Sequence, residues 1–314
     1  MNTLISIFPY AIGFTIPLLT AALGGLYSER SGVVNIALEG LMIIGSFVSA
    51  VIIHSLYPYL GPASLWVGLL GAIVAGVAFS MLHAVASINL KANQVISGTA
   101  INMIAGALTV FLARTITGSG NIHIQMGFIP TDIPLLSKIP VIGPMFFTKT
   151  YATTWVMLVV LAVSYIALYK TPFGLRLRAC GEHPQTADAA GVNVYTMRYI
   201  AVGISGALAG LAGAIILVTY SSEFNGNVAG LGFLALAALI FGQWKPLGIL
   251  GSTFFFGFAA TVANVSQVVP EFKNIPGFIL KAFPYVVTLA ALMIFSKSSQ
   301  APRAAGEPYD QGKR

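Results

Sequence analysis

Apolar residues in this chain come in long runs separated by short polar breaks, not at the three-and-four spacing of a helix with one wet face. Runs of roughly 18 to 26 residues can cross a bilayer as helices. They predict spans over Met1–Leu26, Val33–His54, Ala63–Ile88, Val95–Ile116, Ala152–Tyr169, Tyr199–Tyr220, Leu247–Asn264 and Phe278–Phe295. Leu231–Gly242 is apolar over about 12 residues, short of the roughly 20 of a straight span. It reads as a re-entrant segment, a broken helix or half of a tilted one. Counting it, the chain makes about nine crossings.

The breaks carry their own signals. Pro9 and Pro17 predict kinks in the first span, which membrane helices tolerate when neighbours satisfy the freed backbone groups. Gly68, Gly71 and Gly76 in the third span, and Gly203, Gly206, Gly210 and Gly213 in the sixth, favour close helix packing. Thr117–Tyr151 is too rich in Gly and Pro for a regular helix and is placed outside, with apolar parts lying on or dipping into the membrane.

The longest polar, basic stretch is Lys170–Arg198 (KTPFGLRLRACGEHPQTADAAGVNVYTMR), between two spans, so it must sit in water. His183–Gly191 carries the signals of a short helix: Pro184 suits a first helical position, alanines follow, and Gly191 can close the helix in the left-handed conformation. Two turns of isolated helix are marginal in water, so this one reads as a plug that docks on a partner. The alternative is an ordinary polar loop with a helical turn.

Composition sets the class. The 314 residues are 57% hydrophobic and 8% charged, with a mean hydropathy of +0.86; a soluble domain carries about 25% charged residues. The chain is an all-α polytopic membrane protein with one transmembrane domain, 1–295, including the cytoplasmic loop 170–198. A polar cytoplasmic tail, 296–314, is expected to be disordered.

A net charge of +7 would suggest nucleic acid in a soluble protein, but here the basic residues are scattered and follow the positive-inside rule. With loop 170–198 inside, Lys138, Lys149 and Lys273 fall in outside loops, Arg114 and Lys281 lie near outer span ends, and every other Lys and Arg falls inside. The amino terminus is then outside, the carboxyl terminus inside, and the surroundings membrane lipid, with no nucleic-acid partner expected. No Lys or Arg precedes the first apolar run, which argues for a retained span and against a secretory signal. Cys180 stands alone, and His54, His83, His123 and His183 have no Cys at ligand spacing, so no metal site is expected.

Glu39 is the one acidic residue inside a predicted span, where an ionisable side chain costs about 2.5–3.5 kcal/mol and is a functional candidate by default. It is either a pathway residue or a hydrogen-bonded packing residue. Asn35 precedes it by one helical turn on the same face. Asn93, Gln94, Ser97 and Asn102 are the polar candidates around the fourth span; for Asn102 a helix–helix hydrogen bond and a solute contact are both open. No Gly-x-x-x-x-Gly-Lys-[Ser/Thr], Gly-x-Ser-x-Gly or His-Glu-x-x-His occurs, so ATP is not held by a phosphate loop here and no hydrolase set is present.

Four stretches together resemble the permease subunits of ATP-binding-cassette (ABC) importers, in the nucleoside and simple-sugar branch of the branched-chain amino acid/ribose-type permeases. They are SGVVNIALEG at Ser31–Gly40; Ala92–Asn102; GLRLRA at Gly174–Ala179 with Gly181, Glu182 and Ala189–Gly191; and GFLALA at Gly232–Ala237 with FGQWKP at Phe241–Pro246. Leu231 and Gln243 depart from that branch, which often has Arg or a similar polar residue at the first position and Arg or Lys at the second.

The resemblance implies a non-catalytic subunit forming half of a translocation pathway in a bacterial inner membrane. Its implied partners are an ABC ATPase that binds ATP and Mg²⁺, a second homologous permease, and an extracytoplasmic solute-binding protein or lipoprotein. It assigns ATPase coupling to Gly181, Glu182, Pro184, Ala187, Asp188, Ala190 and Gly191, and the pathway to Asn35, Glu39, Asn93, Gln94, Ser97 and Asn102. Nucleosides are the expected solute, with simple sugars or riboflavin-like compounds as alternatives. A self-contained secondary transporter or channel, with Glu39 carrying protons or a cation, is the rival of another class; such carriers place several charges at mid-membrane.

Overall fold

A backbone in lipid has no water to bond, so each long apolar run closes its hydrogen bonds within a helix. The computed structural model describes residues 2–265, 279, 282, 286 and 300–312. The chain runs α1 (Asn2–Arg30), α2 (Leu38–Leu60), α3 (Ala63–Ala84), α4 (Gln94–Thr117), β1 (Ile122–His123), α5 (Ile142–Phe146), α6 (Ala152–Lys170), α7 (Pro172–Glu182), α8 (Pro184–Ala189), α9 (Val194–Ile216), β2 (Glu223–Phe224), α10 (Leu231–Phe241) and α11 (Pro246–Val265). Single π-helical turns, Val85–Asn89 and Leu217–Ser221, extend α3 and α9.

Among the described residues seven helices are long and apolar enough to cross a membrane: α1, α2, α3, α4, α6, α9 and α11. The short run is α10, with 11 residues. Apart from Ile279, Ala282 and Val286, the expected span Phe278–Phe295 and the turn before it lie outside the described residues, so among the described residues there are seven spans and one half-length helix.

Contacts distinguish the two ends of the bundle. At one, β1 pairs antiparallel with β2, Ile122 opposite Phe224 and His123 opposite Glu223, and Phe8 of α1 meets Phe146 of α5 edge-on. At the other, the end of α1 meets the α7–α8 loop, where Arg30 lies 3.8 Å from Glu182. The charge rule expects the first end outside and the second in the cytoplasm, and the second is called the cytoplasmic end on that expectation. The chain runs from the end that holds β2, through α10, to the end that holds Arg30.

Helices α1 and α9 form the centre and are mostly buried, whereas α3, α4 and α6 are largely exposed on the outside of the bundle. Close packing rests on glycine. A Cβ at Gly206, Gly210 or Gly213 of α9 would overlap the backbone of Gly76, Ala72 or Met42, respectively. Gly203, at the same sequence spacing, meets only the Met81 methyl, at 3.4 Å. α1 runs as one helix through Pro9 and Pro17.

Two expectations are corrected. Loop 170–198 holds two helices: α7 was not anticipated, although Thr171 caps it by accepting from the Gly174 N–H and Pro172 sits in its first turn. Residues 300–312, expected from composition to be disordered, lie along the cytoplasmic end with Ala304 and Tyr309 buried. Backbone partners explain the order: the Ala304 N–H donates to the Gly181 carbonyl at 2.9 Å and the Gly306 N–H to that of Gly32 at 3.1 Å.

Candidate functional site

Between α1 and α2 the chain is non-helical, so its backbone groups need partners that a helix would have supplied. Side chains of α3 and α4 provide them, and α9 holds the Asn35 side chain that braces the stretch from within. The Val34 N–H donates to Gln94 Oε1 at 2.7 Å, and the Gly40 N–H to Asn102 Oδ1 at 2.7 Å, while Asn102 Nδ2 donates to the Ile36 carbonyl at 3.0 Å. Asn35 accepts from the Ala37 N–H and donates through Nδ2 to Ser205 Oγ at 2.8 Å. His83 is fully buried, with Nε2 3.0 Å from the Val34 carbonyl and Nδ1 3.0 Å from Ser97 Oγ. A carbonyl only accepts, so Nε2 carries the proton and, in the neutral ring, Nδ1 accepts from Ser97.

Thus Asn35, Gln94, Ser97 and Asn102 converge on one stretch of backbone. Asn93 lies apart as the exposed cap of α4, accepting from the Val95 and Ile96 N–H groups. His83 and Ser205 belong to the cluster but were not singled out from the sequence; both partners are more than 45 positions away from the segment they bond, a relation no local pattern carries.

Glu39 faces the start of α10. Its Oε1 accepts from the Gly230 N–H at 2.9 Å and its Oε2 from the Gly232 N–H at 2.7 Å, with the residue 8% exposed. Free N–H groups and the macrodipole make a helix N-terminus a natural seat for a carboxylate. The fit requires glycine, because a Cβ at Gly232 would stand 2.5 Å from the Glu39 backbone. The non-helical link above it, 225–230, satisfies itself with Asx turns: Asn225 Oδ1 accepts from the Asn227 N–H and Asn227 Oδ1 from the Ala229 N–H.

The other end of α10 is fixed as firmly. Trp244 Nε1 donates to Glu29 Oε2, and the Trp244 carbonyl accepts from Arg30 Nη2 at 2.8 Å and Nε at 3.2 Å. Arg30 also faces Glu182 at the end of α7, and Gly181 sits where a Cβ would strike the Arg30 carbonyl. An 11-residue helix is about 16 Å long, so α10 is a strut between the Glu39 carboxylate and the cytoplasmic loop.

Within that loop Gly181, Pro184 and Ala187 are buried, Glu182 and Asp188 half-buried, and Ala190 and Gly191 exposed. Gly191 has φ +82°, and a Cβ there would meet nothing within 4 Å, so it closes α8 without packing against anything. The outward face of α7–α8 forms a shallow groove of about 360 Å³, lined chiefly by Leu175, Arg176, Ala179, Thr186, Ala187 and Ala190. Cys180 beneath it is buried, and burial pushes its thiol up to about 11 despite the nearby Arg198 guanidinium. No group of three or more His, Cys, Asp or Glu side chains able to hold a metal occurs among the described residues.

Residues 8–295 match the family described as the branched-chain amino acid transport system / permease component. The guanosine ABC transporter permease protein NupQ of Bacillus subtilis (strain 168) is 46% identical over 98% of this chain and 97% of its own length. The nucleoside ABC transporter permease protein NupC of Lactococcus lactis subsp. cremoris (strain MG1363) is 42% identical over 100% of this chain and 99% of its own. The putative glucose ABC transporter permease protein TsgC13 of Haloferax volcanii is 33% identical over 88% and 87%, respectively.

Proposed function

The chain belongs to the branched-chain amino acid transport system permease component family, as a non-catalytic, multi-pass membrane subunit of an ABC transporter, and on that premise we propose that it imports nucleosides. The observation that carries this reading is end-to-end similarity to two permeases of guanosine and nucleoside transporters. A simple sugar is the second reading, favoured by the glucose permease relative. The secondary-transporter reading fares worse, because both Glu39 oxygens are engaged by backbone N–H groups of α10 and are poorly placed to load a proton or cation.

In this reading the chain forms half of the pathway beside a second permease, with the span Phe278–Phe295 completing about nine crossings. An extracytoplasmic binding protein delivers the solute. The ATPase subunit, which holds ATP and Mg²⁺, docks on the outward face of α7–α8. Closure of the ATPase pair pushes that loop, and the push reaches α10 through Glu182, Arg30 and Trp244. The strut then moves against Glu39 at its other end. ATP acts by stabilising one arrangement of the loop over another, since a ligand shifts an equilibrium only by its differential affinity.

Two experiments test this. Uptake of radiolabelled nucleosides, sugars and riboflavin is compared in cells with and without the chain, with the ATPase intact or disabled. Loss of nucleoside uptake in both knockouts is expected; uptake that survives loss of the ATPase refutes the ABC mechanism, and selective loss of sugar uptake refutes the nucleoside assignment. Separately, Ala190→Trp places an indole on the exposed rim of the groove. Membrane insertion is expected to persist while the ATPase no longer co-purifies, and undiminished co-purification refutes docking at α8.

A further inference from the structure

The segment 300–312 touches every cytoplasmic connection described above. It begins at the loop after α10, where the Gln300 N–H donates to Gln243 Oε1 at 3.2 Å. It then bonds Gly181 at the end of α7 and Gly32 after α1. Arg198 of α9, almost wholly buried, ties it inward: Nη1 donates to the Glu307 carbonyl at 3.1 Å and Nε to the Ser31 carbonyl at 3.2 Å. Tyr309 is 4% exposed, its ring centroid 5.4 Å from that of Tyr195 and 6.0 Å from the Arg198 guanidinium. Asp310 pairs with Lys91 before α4 at 3.0 Å, and Gln311 Nε2 lies 3.4 Å from Asp188 of α8.

The last contact matters most. Adjoining the apolar groove at Val192 lies a second cleft of about 220 Å³, walled by Asp188, Gly191, Asn193, Tyr195 and Gln311. One wall belongs to α8 and the start of α9, the other to the segment 300–312. Helix α8 has six residues, too few to hold its own shape in water. Pro184 and Ala187 pack it against α7 and α9, and the segment adds a hold where α8 ends, through Gln311 and Asp188.

We infer that residues 300–312 form a strap that completes the ATPase-docking surface, holding α8 in place and supplying, through Gln311, the polar wall of a cleft continuous with the apolar groove. The inference rests on the docking of the ATPase at α7–α8 proposed above. Its occupant is that same ATPase subunit, because the polar cleft and the apolar groove flank one helix and share Val192 in their linings.

The test uses the complete transporter reconstituted in nanodiscs, with the concentration of ATPase subunit giving half-maximal binding as the readout. Three variants are compared with the wild type: a chain ending at Ser299, Tyr309→Ala, and Gln311→Trp, which fills the cleft without removing the strap. Each is expected to raise that concentration about tenfold or more, with pairing to the second permease unchanged and uptake reduced in parallel. Ala190→Trp is measured alongside. If Ala190→Trp leaves ATPase binding intact, docking at α8 fails and the strap inference falls with it. If Ala190→Trp releases the ATPase while the shortened chain and Gln311→Trp bind it like the wild type, the strap inference alone is overturned. Should the shortened chain fail to insert, Gln311→Trp decides, since its side chain starts exposed and its binding can be read directly.

Discussion

Glu39→Gln tests whether α10 is held by charge. The substitution preserves shape and one oxygen, but it turns the other oxygen into an NH₂ group aimed at a backbone N–H that the carboxylate accepted at 2.7 or 2.9 Å. A hydrogen bond to a charged group contributes about 1.5–3 kcal/mol, and an anion at a helix N-terminus about 0.3–2 kcal/mol. The swap should cost about 2–4 kcal/mol, or roughly 30- to 700-fold in the balance between docked and displaced α10. Uptake of labelled nucleoside is the assay, with membrane abundance and ATPase co-purification measured on the same cells. Uptake is expected to fall at least tenfold while the other two readouts hold, because the Trp244 end of the strut and the α7–α8 face are untouched. Glu39→Asp, which keeps the charge but cannot span both N–H groups, should be intermediate. Wild-type uptake by Glu39→Gln would falsify the role of the Glu39 charge in seating α10 and return the residue to simple packing.

Glycine packing and thiol burial give two further tests. Gly210→Leu should abolish the monodisperse folded permease in detergent, because its Cβ already overlaps the Ala72 carbonyl and overpacking with backbone displacement costs upward of about 1–3 kcal/mol, whereas Gly203→Leu should fold, its nearest neighbour being one methyl group; equal behaviour of the two variants refutes the assignment of the close contact. Cys180 should label with maleimide only slowly at neutral pH in the folded permease and rapidly once it is denatured, since burial raises its thiol from an ordinary value of 9.0 to about 11. In the unfolded chain the thiol ionises first, so its contribution to folding is complete below about 9 and lost as pH rises towards 11; rapid labelling at neutral pH refutes the burial.

Hydropathy located the seven spans because lipid leaves an apolar run no other way to satisfy its backbone. The same reasoning marked Leu231–Phe241 as too short, yet it could not show why a short helix suffices there. That answer lies in contacts across about 190 to 215 positions, from Glu39 to Gly230 and from Glu29 to Trp244, which no local pattern carries. α7 was legible in principle: Thr171-Pro172 is a capping residue followed by a first-turn proline. The strap was less so. Its composition is that of a disordered tail, and the one hint is Tyr309, a large side chain amid small and polar residues, which finds Tyr195 and Arg198.

The polar residues of the pathway reading divide once their hydrogen bonds are followed. Asn102 has both ends of its amide engaged, on Gly40 and Ile36, and Asn35 likewise, on Ala37 and Ser205. A solute using either would first have to break a bond that holds the non-helical stretch between α1 and α2 together, leaving a buried backbone group unpaired at about 1–3 kcal/mol. Gln94 differs: its oxygen serves Val34, but its Nε2 is buried without a partner among the described residues. Asn225 and Asn227 differ in another way, standing exposed on the link that leads down to Glu39. Non-helical backbone persists at membrane depth only where protein buries it or water reaches it. The stretch at Asn35 meets the first condition, so a solute that took over the Asn35 or Asn102 amide would dismantle the packing that keeps this backbone non-helical.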